Sequence, residues 1–341
     1  MSPARPTSTT SAQPAMVKGD DAMTESPLAL APIASERAHP QVGTGTAHGT
    51  FGELLQGVLP DDVDFLVTLP IQRGVRVRVI LDPEATELTV SPAGKTKSLL
   101  LARSLLRSLG HHGGGHLIIS SDLPVGKGLA SSSADLVAVA RAVGQALGQP
   151  LGPQDIEALL REIEPSDGIM YSDVVAFRHR EVRLHRRLGP LPPLTIVGLD
   201  EGGEIDTVQF NRLPKPFQPR DKCEYAELLD QISQAMLLGD VAEIGRVATR
   251  SAEMNQRLHP KKTLPAMVSL CRAADGLGVV VAHSGTAVGI LLSPDEPDYD
   301  ERLRLVHRGC AALRPTVWID QVHCPREPYQ IMEKATWPPR M

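Results

Sequence analysis

Hydrophobic and polar positions in the first half of the chain follow two periods, which predict strands and helices in turn. Residues 75–79 alternate valine with arginine, the pattern of a strand with one solvated face, and residues 87–90 are its predicted partner strand. Apolar residues recur at helical spacing over 98–109 and again over 136–147. A short apolar run at 117–119 predicts a buried strand between these two helices.

The rest of the chain shows the same mixture. Three more helices are predicted over residues 154–164, 225–238 and 241–254, and a fourth over residues 299–312. Apolar runs predict strands over residues 194–199, 277–282, 288–292 and 316–321. The proline-rich stretch 188–193 is the predicted domain boundary. Residues 1–41, rich in Ser, Thr, Pro and Ala, are expected to be a disordered leader, so the two predicted domains cover 42–192 and 193–335.

Composition narrows the class of protein. The 341 residues carry a formal net charge of -5 and only 3% aromatic residues, which argues against a nucleic-acid partner. No apolar stretch reaches about 18 residues and the N-terminus has no signal-peptide pattern, so no membrane partner is expected. The four cysteines are far apart in the sequence and are expected to be free thiols in a reducing compartment. We therefore expect a cytoplasmic protein, either a monomer or a homodimer.

One segment carries the strongest candidate chemistry. Residues 122–136, DLPVGKGLASSSADL, join the predicted strand at 117–119 to the helix that follows. Small residues let a ligand approach the backbone closely, and a helix N-terminus offers unpaired N–H groups with a partial positive charge. Together these features predict a cradle for a phosphate group. A serine N-cap on an ordinary amphipathic helix is the alternative interpretation.

Two familiar phosphate loops do not match. A Walker loop needs Gly-x4-Gly-Lys-Ser/Thr, and residues 94–96 supply its end, but Thr89 stands where the first glycine is needed. Residues 94–96 are therefore interpreted as a solvated turn. A dinucleotide-binding loop needs a third glycine three residues after Gly128, and Ser131 stands there.

The better match is the run Pro124-x-x-x-Gly128-Leu129-Ala130-Ser131-Ser132-Ser133. Residues 49–57, GTFGELLQG, precede it, and residues 282–289, AHSGTAVG, follow it. In this order the three stretches resemble the three motifs of the GHMP kinases, the superfamily of galactokinase, homoserine kinase, mevalonate kinase and phosphomevalonate kinase. The resemblance covers about residues 42–335. It implies an α+β fold of two domains, an N-terminal ATP-binding sheet-and-helix domain and a C-terminal ferredoxin-like domain, with the active site in the cleft.

The resemblance also implies how ATP and Mg²⁺ are bound. The predicted nucleotide-binding residues are Pro124, Gly126, Gly128, Leu129, Ala130, Ser131, Ser132, Ser133, Ser284 and Gly285. Ser132 matches the magnesium-contacting serine of the superfamily. Glu164 is the predicted carboxylate ligand of the metal, and Glu162 is the alternative.

Two residues are predicted to act in catalysis. Asp167 matches a superfamily carboxylate, so it is predicted to orient or deprotonate the substrate hydroxyl; a cap on the turn after Pro165 is the alternative. Lys127 is predicted to add positive charge near the phosphates, and a solvated loop lysine is the alternative.

Where these motifs differ from the common superfamily pattern, they resemble the motifs of the L-threonine kinase branch, which is associated with cobalamin side-chain synthesis. Glu53, Asp206 and His283 are the predicted substrate-binding residues, with Glu204 a further candidate. The implied reaction is ATP- and magnesium-dependent phosphorylation of L-threonine to L-threonine O-3-phosphate. Two alternatives are a kinase for another hydroxylated metabolite of a specialised pathway and a nucleotide-binding regulator without turnover.

Overall fold

A computed structural model of the chain describes residues 40–203 and 214–323. The strands of these residues are β1 Gln41–Val58, β2 Asp64–Asp82, β3 Leu88–Ser91, β4 Gly114–Ser121, β5 Val174–Arg178, β6 Arg183–Gly189, β7 Thr195–Asp200, β8 Gly278–Val281, β9 Ala287–Leu292 and β10 Val317–Gln321. Their helices are α1 Thr96–Ser108, α2 Ser131–Ala146, α3 Pro153–Arg161, α4 Pro219–Leu238, α5 Val241–Asn255, α6 Leu264–Ala273 and α7 Tyr299–Leu313.

One mixed sheet connects the strands in the order β10-β7-β9-β8-β1-β2-β4-β3, and β5 joins β2 to β6. Every described pair is antiparallel except β3 with β4. The long strand β1 holds the two ends of the sheet together, because it pairs with β2 along most of its length and meets β8 at Glu53 and Val281. The architecture is α+β, as the sequence predicts.

Most predicted elements are confirmed, and one pairing is wrong. The stretch 87–90 is a strand, but it pairs in parallel with β4 and is not the partner of β2. Strand β4 lies between β2 and β3 and pairs with residues 75–82 of β2. The helix expected over 154–164 already ends at Arg161. The hairpin of β5 and β6 and the helix α6 have no counterpart among the predicted elements.

Two glycines of β1 allow helix α2 to lie directly on the sheet. A Cβ at Gly43 would stand 2.1 Å from the carbonyl oxygen of Ala142, and one at Gly45 would stand 2.1 Å from that of Ala138. Any side chain at either position would therefore force the helix away from the strand. The contact fixes the axis of α2, and with it the position of the helix N-terminus.

The hydrophobic core consists of two clusters. The larger one fills the space between β1, β2, β4 and the helices α1, α2, α4 and α5. The smaller one lies between β7, β8, β9 and the helices α6 and α7. The larger cluster includes residues on both sides of position 192/193, so the two clusters do not coincide with the two predicted domains, and that boundary stays a prediction. The expected leader lies almost entirely outside the described residues.

No helix in the described ranges is long and apolar enough to cross a bilayer.

Candidate active site

The segment between β4 and α2 forms an open loop at the helix N-terminus. Gly126 and Gly128 have φ values of 73° and 81°, conformations that favour glycine. Ala130 is the N-cap residue, also left-handed at φ 57°, and no side chain caps the helix. The first N–H groups of α2 are therefore left for a ligand. The alternative of a serine N-cap is wrong, because the serines begin inside the helix at Ser131.

The left-handed backbone of Ala130 gives a first prediction. Replacing Ala130 by glycine should leave the free energy of unfolding unchanged or raise it by up to about 1 kcal/mol, because a Cβ is unfavourable at positive φ. Ala146→Gly in the same helix is the matched control, and it should lower stability by about 0.5–1 kcal/mol. Chemical denaturation of both variants measures the difference. Equal losses in the two variants would show that the loop does not hold the left-handed conformation.

Hydrogen bonds tie the three glycine-bearing stretches into one unit. The N–H of Gly52 donates to the Gly128 carbonyl at 3.1 Å, and the N–H of Thr286 donates to the Lys127 carbonyl at 3.2 Å. A Cβ at Gly285 would lie 2.2 Å from that same Lys127 carbonyl oxygen. Motifs separated by more than 70 residues are thus in backbone contact, and the loop before α2 is held from both sides.

A single cavity opens over this unit. Its lining residues are Glu53, Gln56, Leu66, Lys97, Val125, Gly126, Gly128, Leu129, Ala130, Ser131, Ser132, Ser133, Glu164, Pro165, Ser166, Asp167, His179 and Ser284. Four predicted site residues are not in this lining: Pro124, Lys127, His283 and Gly285. Asp206 and Glu204 lie outside the described residues. The cavity therefore brings together the predicted phosphate-binding serines and the predicted carboxylates.

Ser132 and Glu164 are in direct contact. The Ser132 hydroxyl donates to one carboxylate oxygen of Glu164, and the ammonium of Lys97 pairs with the other. Hydroxyl and carboxylate oxygens are ligands that suit Mg²⁺ beside a nucleotide. Lys97, at the start of α1, places a positive charge in the same lining.

Asp167 is half-buried at the side of the cavity formed by Ser133. The Ser133 hydroxyl donates to the Asp167 carboxylate at 3.3 Å, and it accepts from the backbone N–H of Asp167 at 3.2 Å. Burial and the nearby negative charges of Glu53 and Glu164 raise the pKa of Asp167 to about 7. A carboxyl with this pKa can take up or release a proton at neutral pH.

Glu53 is held by the third motif. One carboxylate oxygen of Glu53 accepts from the backbone N–H of His283 at 3.1 Å and from its ring Nδ1 at 2.8 Å. The other ring nitrogen lies 2.9 Å from the Ser251 hydroxyl, which also accepts from the backbone N–H of Gln56 at 3.1 Å. His283 is buried and outside the cavity lining, so in this structure it fixes Glu53 instead of facing the cavity.

Lys127 points to another partner. Its ammonium lies 2.8 Å from the Asp200 carboxylate and donates to the Gly203 carbonyl at 2.6 Å. Its backbone belongs to the loop before α2, but its charge is compensated on β7. Lys95, interpreted from the sequence as part of a solvated turn, pairs with Asp135 of α2.

Several residues of the site were missed at the sequence level. Lys97 and His179 line the cavity, and no local motif marks them as functional; Gln56 also lines it and lies within the motif 49–57, but it was not among the predicted site residues. Lys261 is also buried, donates to the Gly285 carbonyl, and has its pKa lowered to about 8 by burial. These residues reach the site through the sheet and helices, so only the topology identifies them.

Comparison with known proteins shows which family part of the chain matches and which folds it shares. Residues 97–180 match the family model described as the GHMP kinases N terminal domain. A homoserine kinase from Cytophaga hutchinsonii shares the fold with a TM-score of 0.62 at 18% identity, over 85% of this chain and 95% of that one. The L. major mevalonate kinase, solved in complex with R-mevalonate, gives a TM-score of 0.62 at 17% identity, over 86% of this chain and 98% of that one.

The family-model match over residues 97–180 and the shared fold make the chain similar to the GHMP kinase superfamily. Within it, the chain is similar to the L-threonine kinase of Salmonella typhimurium, with 30% identity over 53% of this chain and 60% of that protein. It is also similar to the homoserine kinase of Pyrococcus furiosus, with 25% identity over 56% and 68%. The matched segment thus spans less than two thirds of the L-threonine kinase.

Proposed function

We propose that the protein is an ATP-dependent kinase that phosphorylates the hydroxyl of a small amino acid, with L-threonine as the first candidate. One observation carries the proposal: the open N-terminus of α2 and the half-buried carboxyl of Asp167 line the same cavity. The similarity to L-threonine kinases supports the choice of acceptor.

The loop before α2 fits the phosphates of ATP. A Cβ at Gly128 would lie 2.4 Å from that of Ala282, so no side chain can project there. The unpaired N–H groups at the start of α2 would bind phosphate oxygens, and the helix dipole would favour their negative charge. Lys97 would add a positive charge beside them.

Ser132 and Glu164 would hold Mg²⁺. Their oxygens are already in contact, and Mg²⁺ is usually bound by one or two carboxylates together with substrate phosphates. When bound, the ion supplies charge stabilisation to the transferring phosphoryl group. Lys97 then neutralises part of the carboxylate charge of Glu164.

Asp167 would act on the acceptor. A hydroxyl placed between Asp167 and the phosphate loop would donate its proton to the carboxylate and point its oxygen at the γ-phosphate. Ser133 fixes the carboxylate through its two hydrogen bonds, so that the base is positioned before the acceptor arrives. His283 likewise fixes the carboxylate of Glu53 through a hydrogen bond from its ring.

A panel of acceptors tests this function. ADP release from ATP is measured with L-threonine, L-homoserine and L-serine, and without acceptor. We expect acceptor-dependent release that is fastest with L-threonine. Faster release with L-homoserine would favour the second candidate, which the similarity to homoserine kinases supports. ATP binding without release for any acceptor would contradict the proposal and favour a regulator without turnover.

A further inference from the structure

One side of the cavity is lined by polar atoms that have no partner. The side-chain Oε1 of Gln56, the Oγ of Ser166 and both ring nitrogens of His179 are buried, and none makes a hydrogen bond within the described ranges. The three residues are only 7%, 3% and 4% exposed. Buried polar groups in folded proteins are nearly always hydrogen-bonded, so these atoms are available to a polar ligand that enters the cavity.

The sheet brings the three residues together. Gln56 on β1 pairs with Leu66 on β2, Leu66 pairs with Phe177 on β5, and His179 follows two residues later. The N–H of Ser166 then donates to the His179 carbonyl at 3.0 Å. Backbone pairing therefore fixes the cluster without using the side-chain groups.

A bulge in β1 turns Gln56 to the same side as Glu53. The pairing with β2 shifts between Glu53 and Leu55, so Leu54 has no opposite residue. An extra residue changes the alternation of a strand, and residues 53 and 56 then share a face. Both line the cavity. The unpartnered cluster is thus continuous with the carboxylate of Glu53.

The cluster offers mainly acceptors. Burial and the positive charges of Lys215 and Arg180, with a further contribution from His283, lower the pKa of His179 to about 3, so the ring is neutral. A neutral imidazole has one donor and one acceptor nitrogen. With Gln56 Oε1, Ser166 Oγ and the Glu53 carboxylate, the surroundings suit a group that donates several hydrogen bonds and carries positive charge.

We propose that Gln56, Ser166 and His179 form the subsite that binds the ammonium group of the acceptor and selects amino acids over simple hydroxy acids. The inference rests on the proposed kinase function and names residues that decide its substrate. A carboxylate is the poorer occupant, because Glu53 and Asp167 line the same cavity and would repel it. An ammonium has three N–H donors, enough for Glu53, Gln56 and the acceptor nitrogen of His179.

The test uses three acceptors that share the same hydroxyl-bearing carbon and its methyl group. L-Threonine carries both charged groups, (R)-3-hydroxybutyrate lacks the ammonium, and (R)-1-amino-2-propanol lacks the carboxylate. Steady-state kinetics are measured for the wild type, His179→Leu and Gln56→Leu. We expect each variant to raise the KM of the two ammonium-bearing acceptors by about 10- to 100-fold, the loss typical of a hydrogen bond to a charged group. The KM for ATP and the constants for (R)-3-hydroxybutyrate should not change.

Two further variants control for structural effects. His116→Leu removes a histidine on β4 whose ring is bonded to Thr89 at 2.7 Å, outside the cavity lining, and should leave every KM unchanged. His179→Gln keeps a donor and an acceptor and should recover part of the loss. Thermal unfolding shows whether His179→Leu is folded, and Gln56→Leu tests the proposal separately if it is not.

Calorimetry separates this inference from the proposed function. Each acceptor is titrated into the wild type and Gln56→Leu with a non-hydrolysable ATP analogue present. Tighter binding of L-threonine than of (R)-3-hydroxybutyrate by the wild type, with the difference lost in Gln56→Leu, supports the subsite. This holds even if no acceptor is phosphorylated, because the absence of phosphorylation would contradict only the kinase proposal. Equal binding of the two acceptors by the wild type, or equal losses for both in the variants, would overturn the subsite and leave the kinase proposal standing.

Discussion

Replacing Asp167 by asparagine is expected to lower kcat by about 10²–10⁴-fold, the usual contribution of a general base. Asparagine keeps the shape of the side chain and cannot accept the hydroxyl proton. Since the carboxylate acts on the transition state, kcat and kcat/KM should fall together, and ATP should still bind. If Asp167 only capped the turn after Pro165, asparagine would serve nearly as well. A loss under about threefold would point to Glu164 or Glu162 as the working carboxylate.

The raised pKa of Asp167 adds a pH dependence to this prediction. Below pH 7 the carboxyl is protonated and cannot take the hydroxyl proton, so kcat/KM of the wild type should fall about tenfold per pH unit. Above pH 7 it should reach a plateau. The residual activity of Asp167→Asn should lack this acidic limb. The same limb in both enzymes would assign it to another group, of which Glu53 and Glu164 are the charged neighbours.

The stability of Asp167→Asn should change in the opposite sense to its activity. The pKa of Asp167 is higher in the folded protein than in the unfolded chain, so the folded state binds the proton more tightly. The ionised carboxylate therefore destabilises the fold increasingly as the pH rises from about 4 to about 7. Asparagine removes that cost, and the variant should be more stable than the wild type at pH 8 and similar to it near pH 4.

Replacing Ser132 by alanine is expected to lower kcat by about 10²-fold, comparable to losing one transition-state hydrogen-bond donor. The hydroxyl contacts Glu164 and is the predicted ligand of Mg²⁺. Ser132 is at the start of α2 and does not cap it, so the thermal midpoint should hardly move. Ser108→Ala is the matched control: its hydroxyl donates to the Leu105 carbonyl at the end of α1. Full activity of Ser132→Ala would show that the phosphates bind elsewhere.

The elements with a clear hydrophobic period could be predicted from the sequence. Helix α1 lies within two residues of its predicted bounds, whereas helix α2 begins five residues earlier than predicted, at Ser131, and ends one residue earlier. Strand β1 gave no such signal, because it is buried on both faces from Ala47 onward and its residues do not alternate. The parallel pairing of β3 was missed since sequence periodicity does not indicate which strand is adjacent.

The candidate site likewise contains residues that the sequence indicates and residues that it does not. The serines after Gly128 and the carboxyl of Asp167 belong to contiguous motifs; local chemistry indicated the serines, and the resemblance to the superfamily selected Asp167. His179 lies 12 residues after Asp167 in the sequence, at the end of an unpredicted hairpin strand. It reaches the cavity only because β5 pairs with β2. Lys127 is the opposite case. Its backbone lies in the predicted loop, but its side chain pairs with Asp200.

The transfer of phosphorus itself tests the central claim most directly. Enzyme in excess is mixed with ATP labelled at the γ-phosphate, Mg²⁺ and L-threonine, and the products are separated after a single turnover. We expect the label to appear on the threonine hydroxyl oxygen, and Asp167→Asn to slow this transfer by about 10²–10⁴-fold. Label found only in ATP or in inorganic phosphate, with L-threonine and with L-homoserine alike, would contradict it.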